Sequence, residues 1–175
     1  MKVLVGYATS EGQTRKIARH VADRIADRGH TVELVRLDDA DDIDLGRFDR
    51  VAVAASIHLG HYQGALSDFA AHQAGRLHEM PTLLLSVSLA AAGHDAEDWR
   101  GLDRIEEDFE AATGWSPGRV EQIAGAYLPE KYDIVRRFAM RRIIAKKDPE
   151  ADLDHGKEYT DWQALDALLD DWLAA

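Results

Sequence analysis

The chain has 175 residues, 46% of them hydrophobic and 30% charged, the balance of a globular protein with room for one well-buried core. A net charge of −11 argues against nucleic acid as the main partner, because phosphate neutralisation drives that affinity. With no cysteine there are no disulfides, thiolate metal sites or cysteine nucleophiles, and no stretch approaches the ~20 apolar residues of a membrane span.

In chain order, Lys2–Tyr7 reads as a strand apolar on both faces, too short for a signal-peptide core, so a cytoplasmic location is expected. Thr14–Arg28 carries Ile17, Val21 and Ile25 at helical spacing, and Gly29 stands where such a helix ends. Thr31–Arg36 is a second strand, followed by an acidic loop over Asp38–Asp44. Arg50–Ala55 is a third strand, Gly64–His78 a helix, and Thr82–Val87 a fourth strand behind Pro81. Asp98–Thr113 is helical and stopped by Gly114, Val120–Ala126 is a fifth strand, and Thr160-Asp161 caps a terminal helix carrying Trp162, Leu165, Leu169 and Trp172. Strands alternating with helices imply a doubly wound parallel α/β sheet. The whole chain, 1–175, reads as a single domain. Residues 127–159 do not fit minimal alternation and read as an insertion, because such connections are usually two to six residues.

After the first strand come Ala8-Thr9-Ser10-Glu11-Gly12-Gln13-Thr14 and a helix. Hydroxyls, a glycine and backbone N–H groups at a helix N-terminus form an anion cradle, although a plain helix cap has the same ingredients. The loop lacks the lysine of a P-loop and the G-x-G-x-x-G of dinucleotide folds, which points to a mononucleotide phosphate. The third and fourth strands end in Ser56-Ile57-His58-Leu59-Gly60-His61-Tyr62 and Ser88-Leu89-Ala90-Ala91-Ala92-Gly93. These border the topological switch point, where ligands bind. Tyr62 is either a stacking surface for a flat ring or an ordinary surface aromatic. His58 and His61 are spaced as a metal pair without a third ligand, so no metal site is expected.

The loop Gly6–Thr14 resembles the phosphate loop of flavodoxins. Taken with Ala55–Tyr62, Ile123-Ala124-Gly125-Ala126 and Tyr159-Thr160-Asp161-Trp162, the chain resembles, over essentially its whole length, the menaquinone-dependent protoporphyrinogen IX dehydrogenases of haem biosynthesis. That resemblance implies a flavodoxin-like sheet in the order 2-1-3-4-5 and a basic helical insertion before the last helix. It also implies FMN as cofactor, protoporphyrinogen IX as substrate, and menaquinone or ubiquinone as electron acceptor. By matching position, Thr9, Ser10, Glu11, Gly12, Gln13 and Thr14 would surround the phosphate. Ser56, Ile57, His58, Gly60, His61 and Tyr62, with Ser88, Leu89, Ala90, Ala91 and Gly93, would line the isoalloxazine. The flavin itself would carry the hydride, so no catalytic side chain is assigned.

Lys131–Lys147 holds seven basic residues against Asp133, a local +6 in a chain of −11. Its helical wheel gathers Ile134, Val135, Phe138 and Ala145, leaves Ile144 opposite and is interrupted by Arg142, an imperfect amphipathic pattern. Arg136, Arg137, Arg141 and Arg142 are the candidates for an anionic membrane surface, on the inner face of the cell membrane, or for substrate carboxylates. The plainer alternative is a clamp against the acidic body. Two other functions share this fold, a flavodoxin-type electron carrier and an NAD(P)H:quinone reductase.

Overall fold

The apolar runs pair side by side and the amphipathic helices cover both faces of the resulting sheet in a computed structural model that describes residues 1–175. Strands β1 (Lys2–Ala8), β2 (Thr31–Arg36), β3 (Arg50–His58), β5 (Thr82–Ser88) and β6 (Arg119–Ala124) form a parallel sheet in the order β2-β1-β3-β5-β6. Counting only these five, that is the expected 2-1-3-4-5 order. Strand β4 (His61–Tyr62) adds an antiparallel hairpin to the end of β3. The helices are α1 (Gln13–Asp27), α2 (Gly64–Leu77), α3 (Ala96–Thr113), α4 (Ile134–Lys147) and α5 (Trp162–Ala174).

Alternation along each strand divides the core between two faces. Leu4, Val51, Val53 and Leu84 pack with Leu66, Phe69, Phe109 and Trp115 on one side. Val3, Val5, Ala52, Leu83 and Leu85 pack with Ile17, Val21 and Ile25 of α1 and Leu165, Leu169 and Trp172 of α5 on the other. The central strands β1, β3 and β5, covered on both faces, are accordingly the most apolar, whereas the edge strands β2 and β6 carry Glu33, Glu121 and Gln122.

Three boundaries differ from the sequence reading by more than one residue. Helix α3 starts two residues early because Asp95 caps it, its carboxylate accepting the N–H of Glu97 and of Asp98, both at 3.0 Å. Strand β3 runs past Ala55 to His58, because the chain turns back at Leu59-Gly60 and β4 supplies hydrogen-bond partners there. Both turn residues have positive φ, 50° and 79°, as tight two-residue hairpin turns require. The expected fifth strand splits at Gly125, whose N–H donates to Ser88 O at 3.0 Å. Beyond it, β7 (Ala126–Tyr127) leaves the sheet and pairs antiparallel with β8 (Lys157–Glu158).

Between β7 and β8 lies a small third core of Tyr127, Tyr132 and Ile144, backed by Leu89, Met140, Leu153 and Tyr159. It explains α4. Ile144, opposite the apolar cluster on the wheel, is the buried residue of this helix, whereas Ile134, Val135 and Phe138 are 89%, 80% and 64% exposed.

Candidate functional site

The β1–α1 loop begins where β1 leaves the sheet beside the switch point between β1 and β3. The Thr9 hydroxyl accepts the Gly12 N–H at 3.1 Å, folding the loop back on itself. Gly12 has φ 104°, which an L side chain rarely adopts, and no side chain caps α1 behind it. The first N–H groups of α1 therefore keep their donor capacity for an anion. Thr14 is buried in the first turn, while Ser10 is exposed on the outer side of the loop.

A cleft of about 600 Å³ opens from this loop across the C-terminal ends of the strands, within the range of small-molecule sites. It brings together Thr9, Glu11, Gln13 and Thr14 with Ser56, Ile57 and His58, and with Ser88 and Leu89. Leu128 and Tyr132 close one end, and Val135, Arg136, Ala139, Met140 and Ile143 present one face of α4 as the outer wall. Of this wall, Arg136 alone is a site candidate from the sequence; Val135 belongs to the apolar cluster on the wheel, whereas Ala139, Met140 and Ile143 lie apart from it. Their signal is the cleft-facing stripe 135, 139, 143, legible only once Ile144 is known to point inward.

Other candidates sit elsewhere. Gly60 forms the hairpin turn and His61 is exposed, both off the cleft. Ala90 and Ala91 lie in a short 3-10 turn, held by the Ala91 N–H donating to Ser88 Oγ at 3.2 Å. Gly93 borders a separate small pocket of about 230 Å³ against Ile144, Lys147 and Tyr159. Tyr62, expected to face a flat ring, is instead a core residue. Its hydroxyl donates to Ser86 Oγ at 3.0 Å and its ring meets Phe109 edge-on at 5.1 Å. Burial pushes its phenol up to about 12, against the Ser86 hydrogen bond. The reason is the hairpin: pairing of Ile57 with Tyr62 puts the tyrosine ring on the inner side of the sheet.

The four insertion arginines have different partners. Arg136 reaches Glu11 in the loop and His58 Nδ1 at 2.8 Å. Arg137 donates to Pro129 O at 3.0 Å, and Arg141 to Asp154 at 2.5 Å. Arg142 lies over the Phe138 ring, 5.8 Å from its centroid. Lys147 pairs with Asp98 of α3. The clamp against the acidic body is therefore made by Arg136 and Lys147, the two that reach across to it.

Tyr159-Thr160-Asp161-Trp162 is a clasp outside the cleft. Tyr159 donates to Asp148 at 2.9 Å, Thr160 to Ala124 O at 2.6 Å, and Asp161 caps α5. Burial and the Asp148 carboxylate push the Tyr159 phenol up to about 12. The Trp162 indole donates to Glu158 at 2.7 Å, and Glu158 also receives Lys16 at 2.5 Å and Gln13 at 2.9 Å. Gln13 Nε2 additionally donates to Thr160 at 3.1 Å, so its side chain ties the insertion's return to α1.

Burial works to raise the Glu158 pKa, but the Lys16, Gln13 and Trp162 donors outweigh it and hold it below the ordinary glutamate value. A depressed folded pKa contributes stability above the unfolded value that is lost as pH falls through the folded one. Glu158→Gln should therefore lower stability at neutral pH by up to about 1 kcal/mol, the carboxylate being partly solvated. The difference should close on acidification below both values. Urea midpoints at neutral and acid pH measure this; a gap that persists in acid contradicts it.

No group of three or more His, Asp or Glu side chains is arranged to hold a metal ion, and no helix is long and apolar enough to cross a membrane. A flavodoxin domain matches residues 4–154. The protoporphyrinogen IX dehydrogenase (quinone) of Escherichia coli strain K12 is 31% identical over 165 residues, spanning 94% of this chain and 91% of that one. The Leishmania major protein of the same name is 28% identical over 174 residues, covering 99% of this chain and 75% of that one. Oxidised flavodoxin 2 from Bacillus cereus superposes with a TM-score of 0.57 at 15% identity, over 99% of both chains. A cysteine-to-alanine variant of the flavodoxin from Pseudomonas aeruginosa does so with 0.52 at 13% identity, over 83% of this chain and 95% of that one. These likenesses concern the fold; the sequence match carries the assignment. The chain belongs to the flavodoxin-domain family and, within it, to the protoporphyrinogen IX dehydrogenases (quinone).

Proposed function

We propose that this chain, as one flavodoxin-like unit over 1–175 with its insertion at 127–159, is an FMN-dependent oxidoreductase of haem biosynthesis. It converts protoporphyrinogen IX to protoporphyrin IX and passes the electrons to a quinone, menaquinone or ubiquinone. The observation that carries this reading is a flavodoxin-type cleft walled by a basic helix, in a chain 31% identical to enzymes so named.

The residues present fit FMN. The uncapped start of α1, the open φ of Gly12 and the hydroxyls of Thr9 and Thr14 suit a phosphate. Ile57 and Leu89, with the backbone at Ser88 and Gly125, suit a flat ring. Bound there, FMN supplies reversible hydride acceptance that no side chain of this chain offers. The chain's own part is to bind, orient and exclude water. Val135, Ala139, Met140 and Ile143 form an apolar wall facing the strand ends, suited to a large apolar macrocycle.

The outer face of α4 supports docking on an anionic membrane, from which a quinone would arrive. Ile134 and Phe138 stand exposed with Arg137 and Arg142, and Leu59 projects 86% exposed from the hairpin turn. Each basic residue near such a surface contributes about 1 kcal/mol.

Anaerobic mixing of the FMN-loaded chain with protoporphyrinogen IX and a menaquinone analogue tests the reaction. Quinone-dependent porphyrin fluorescence is expected. Flavin that stays oxidised with protoporphyrinogen but is reduced by NAD(P)H, or only by a ferredoxin-type reductase, refutes it. In the same preparation, flotation with anionic but not neutral liposomes is expected; no flotation removes the membrane part alone.

A further inference from the structure

Glu11 stands in the middle of the phosphate loop, between Ser10 and Gly12, with its side chain only 19% exposed. An anionic carboxylate is an odd neighbour for a phosphate that carries close to two negative charges at neutral pH. The compensating charge comes from far along the chain. The Arg136 guanidinium on α4 pairs with Glu11, donates to His58 Nδ1 at 2.8 Å, and lies 5.1 Å from the centre of the Tyr132 ring. A guanidinium only donates, so His58 Nδ1 is its acceptor here, and Glu11 supplies the carboxylate that pairs with Arg136. These contacts fix the planar group between the two cofactor loops.

We propose that Arg136 is a positioning residue for the cofactor phosphate, acting through Glu11: docking of α4 neutralises the loop and makes it fit for a dianion. The inference rests on the flavin reading above and assigns Arg136 inward, to the cofactor, and not to membrane or substrate. Linkage makes it reciprocal, so a bound phosphate also holds α4 closed over the cleft.

The test is equilibrium titration with FMN and with riboflavin, which lacks the phosphate, followed by flavin fluorescence. Variants are Arg136→Gln, Glu11→Gln and the double variant. Arg136→Gln is expected to weaken FMN about tenfold and riboflavin by less than about twofold. Glu11→Gln in the same chain is expected to bring FMN affinity back to within about threefold of the original. Equal losses for FMN and riboflavin would show that Arg136 merely holds the cleft together. A double variant as weak as Arg136→Gln would show that it does not act through Glu11. Either result overturns the proposal. Failure of the unaltered chain to take up FMN overturns the flavin reading and this inference with it, whereas normal uptake with the wrong variant pattern sinks the inference alone.

Discussion

Replacing Gly12 with valine should weaken FMN binding by roughly 10- to 100-fold while leaving the sheet folded. The cause is backbone conformation. At φ 104° a β-branched residue is a genuine outlier costing on the order of 1–3 kcal/mol, and the loop relieves it by rotating. Rotation turns the first N–H groups of α1 away from the place where the Thr9 hydroxyl and the loop bring them together. A Cβ at position 12 meets nothing within 4 Å, so no collision contributes. Gly29, at φ 83° past the other end of α1, is the control, since it is equally open and far from the cleft. Gly29→Val should cost similar stability and leave FMN affinity unchanged. Flavin titration alongside denaturant unfolding of both variants decides the matter. Equal losses of affinity would show that any strain in α1 weakens binding and that the loop has no special part.

Ile144→Ala should open the insertion without opening the sheet. Ile144 is 1% exposed and sits in the third core with Tyr127 and Tyr132, apart from the two clusters that hold the sheet. Truncating such a residue costs about 2–5 kcal/mol, here lost from a few neighbours only. Amides of α4 should exchange about 100-fold faster while those of β1, β3 and β5 keep their protection. FMN affinity should then fall about as far as in Arg136→Gln, because α4 can no longer hold Arg136 against Glu11. Hydrogen exchange read by mass spectrometry separates the outcomes. Uniform loss of protection across the sheet would mean that the insertion and the sheet unfold as one unit.

Much of this protein is legible without coordinates. Apolar runs at Lys2–Tyr7, Arg50–Ala55 and Thr82–Val87 read as strands covered on both faces, and helices between them imply a parallel, doubly wound order. Gly12 beside hydroxyls at a strand–helix junction is legible for the same local reason, since a few consecutive residues hold all the donors that an anion loop or a helix cap would use. What the sequence conceals depends on partners far apart. Tyr62 looked like a ring-stacking aromatic until the hairpin turned it toward Ser86 and Phe109. Tyr159–Trp162 carries the family resemblance in the sequence, and only the fold shows what it does: it clasps Asp148, Ala124 and Glu158.

The insertion shows the division most clearly. Its seven basic residues and its helical character are local properties, readable from composition and period. Which face turns inward is not, because the wheel ranks hydrophobicity while burial is decided by the third core, which chose Ile144 over Ile134 and Phe138. The sequence alone therefore determined the sheet, the glycine and hydroxyls of the β1–α1 loop, and the charge of the insertion. Only the tertiary structure decided that Arg136, 125 positions from Glu11 in the chain, meets it, because such a pair exists only once sheet and insertion are folded against each other.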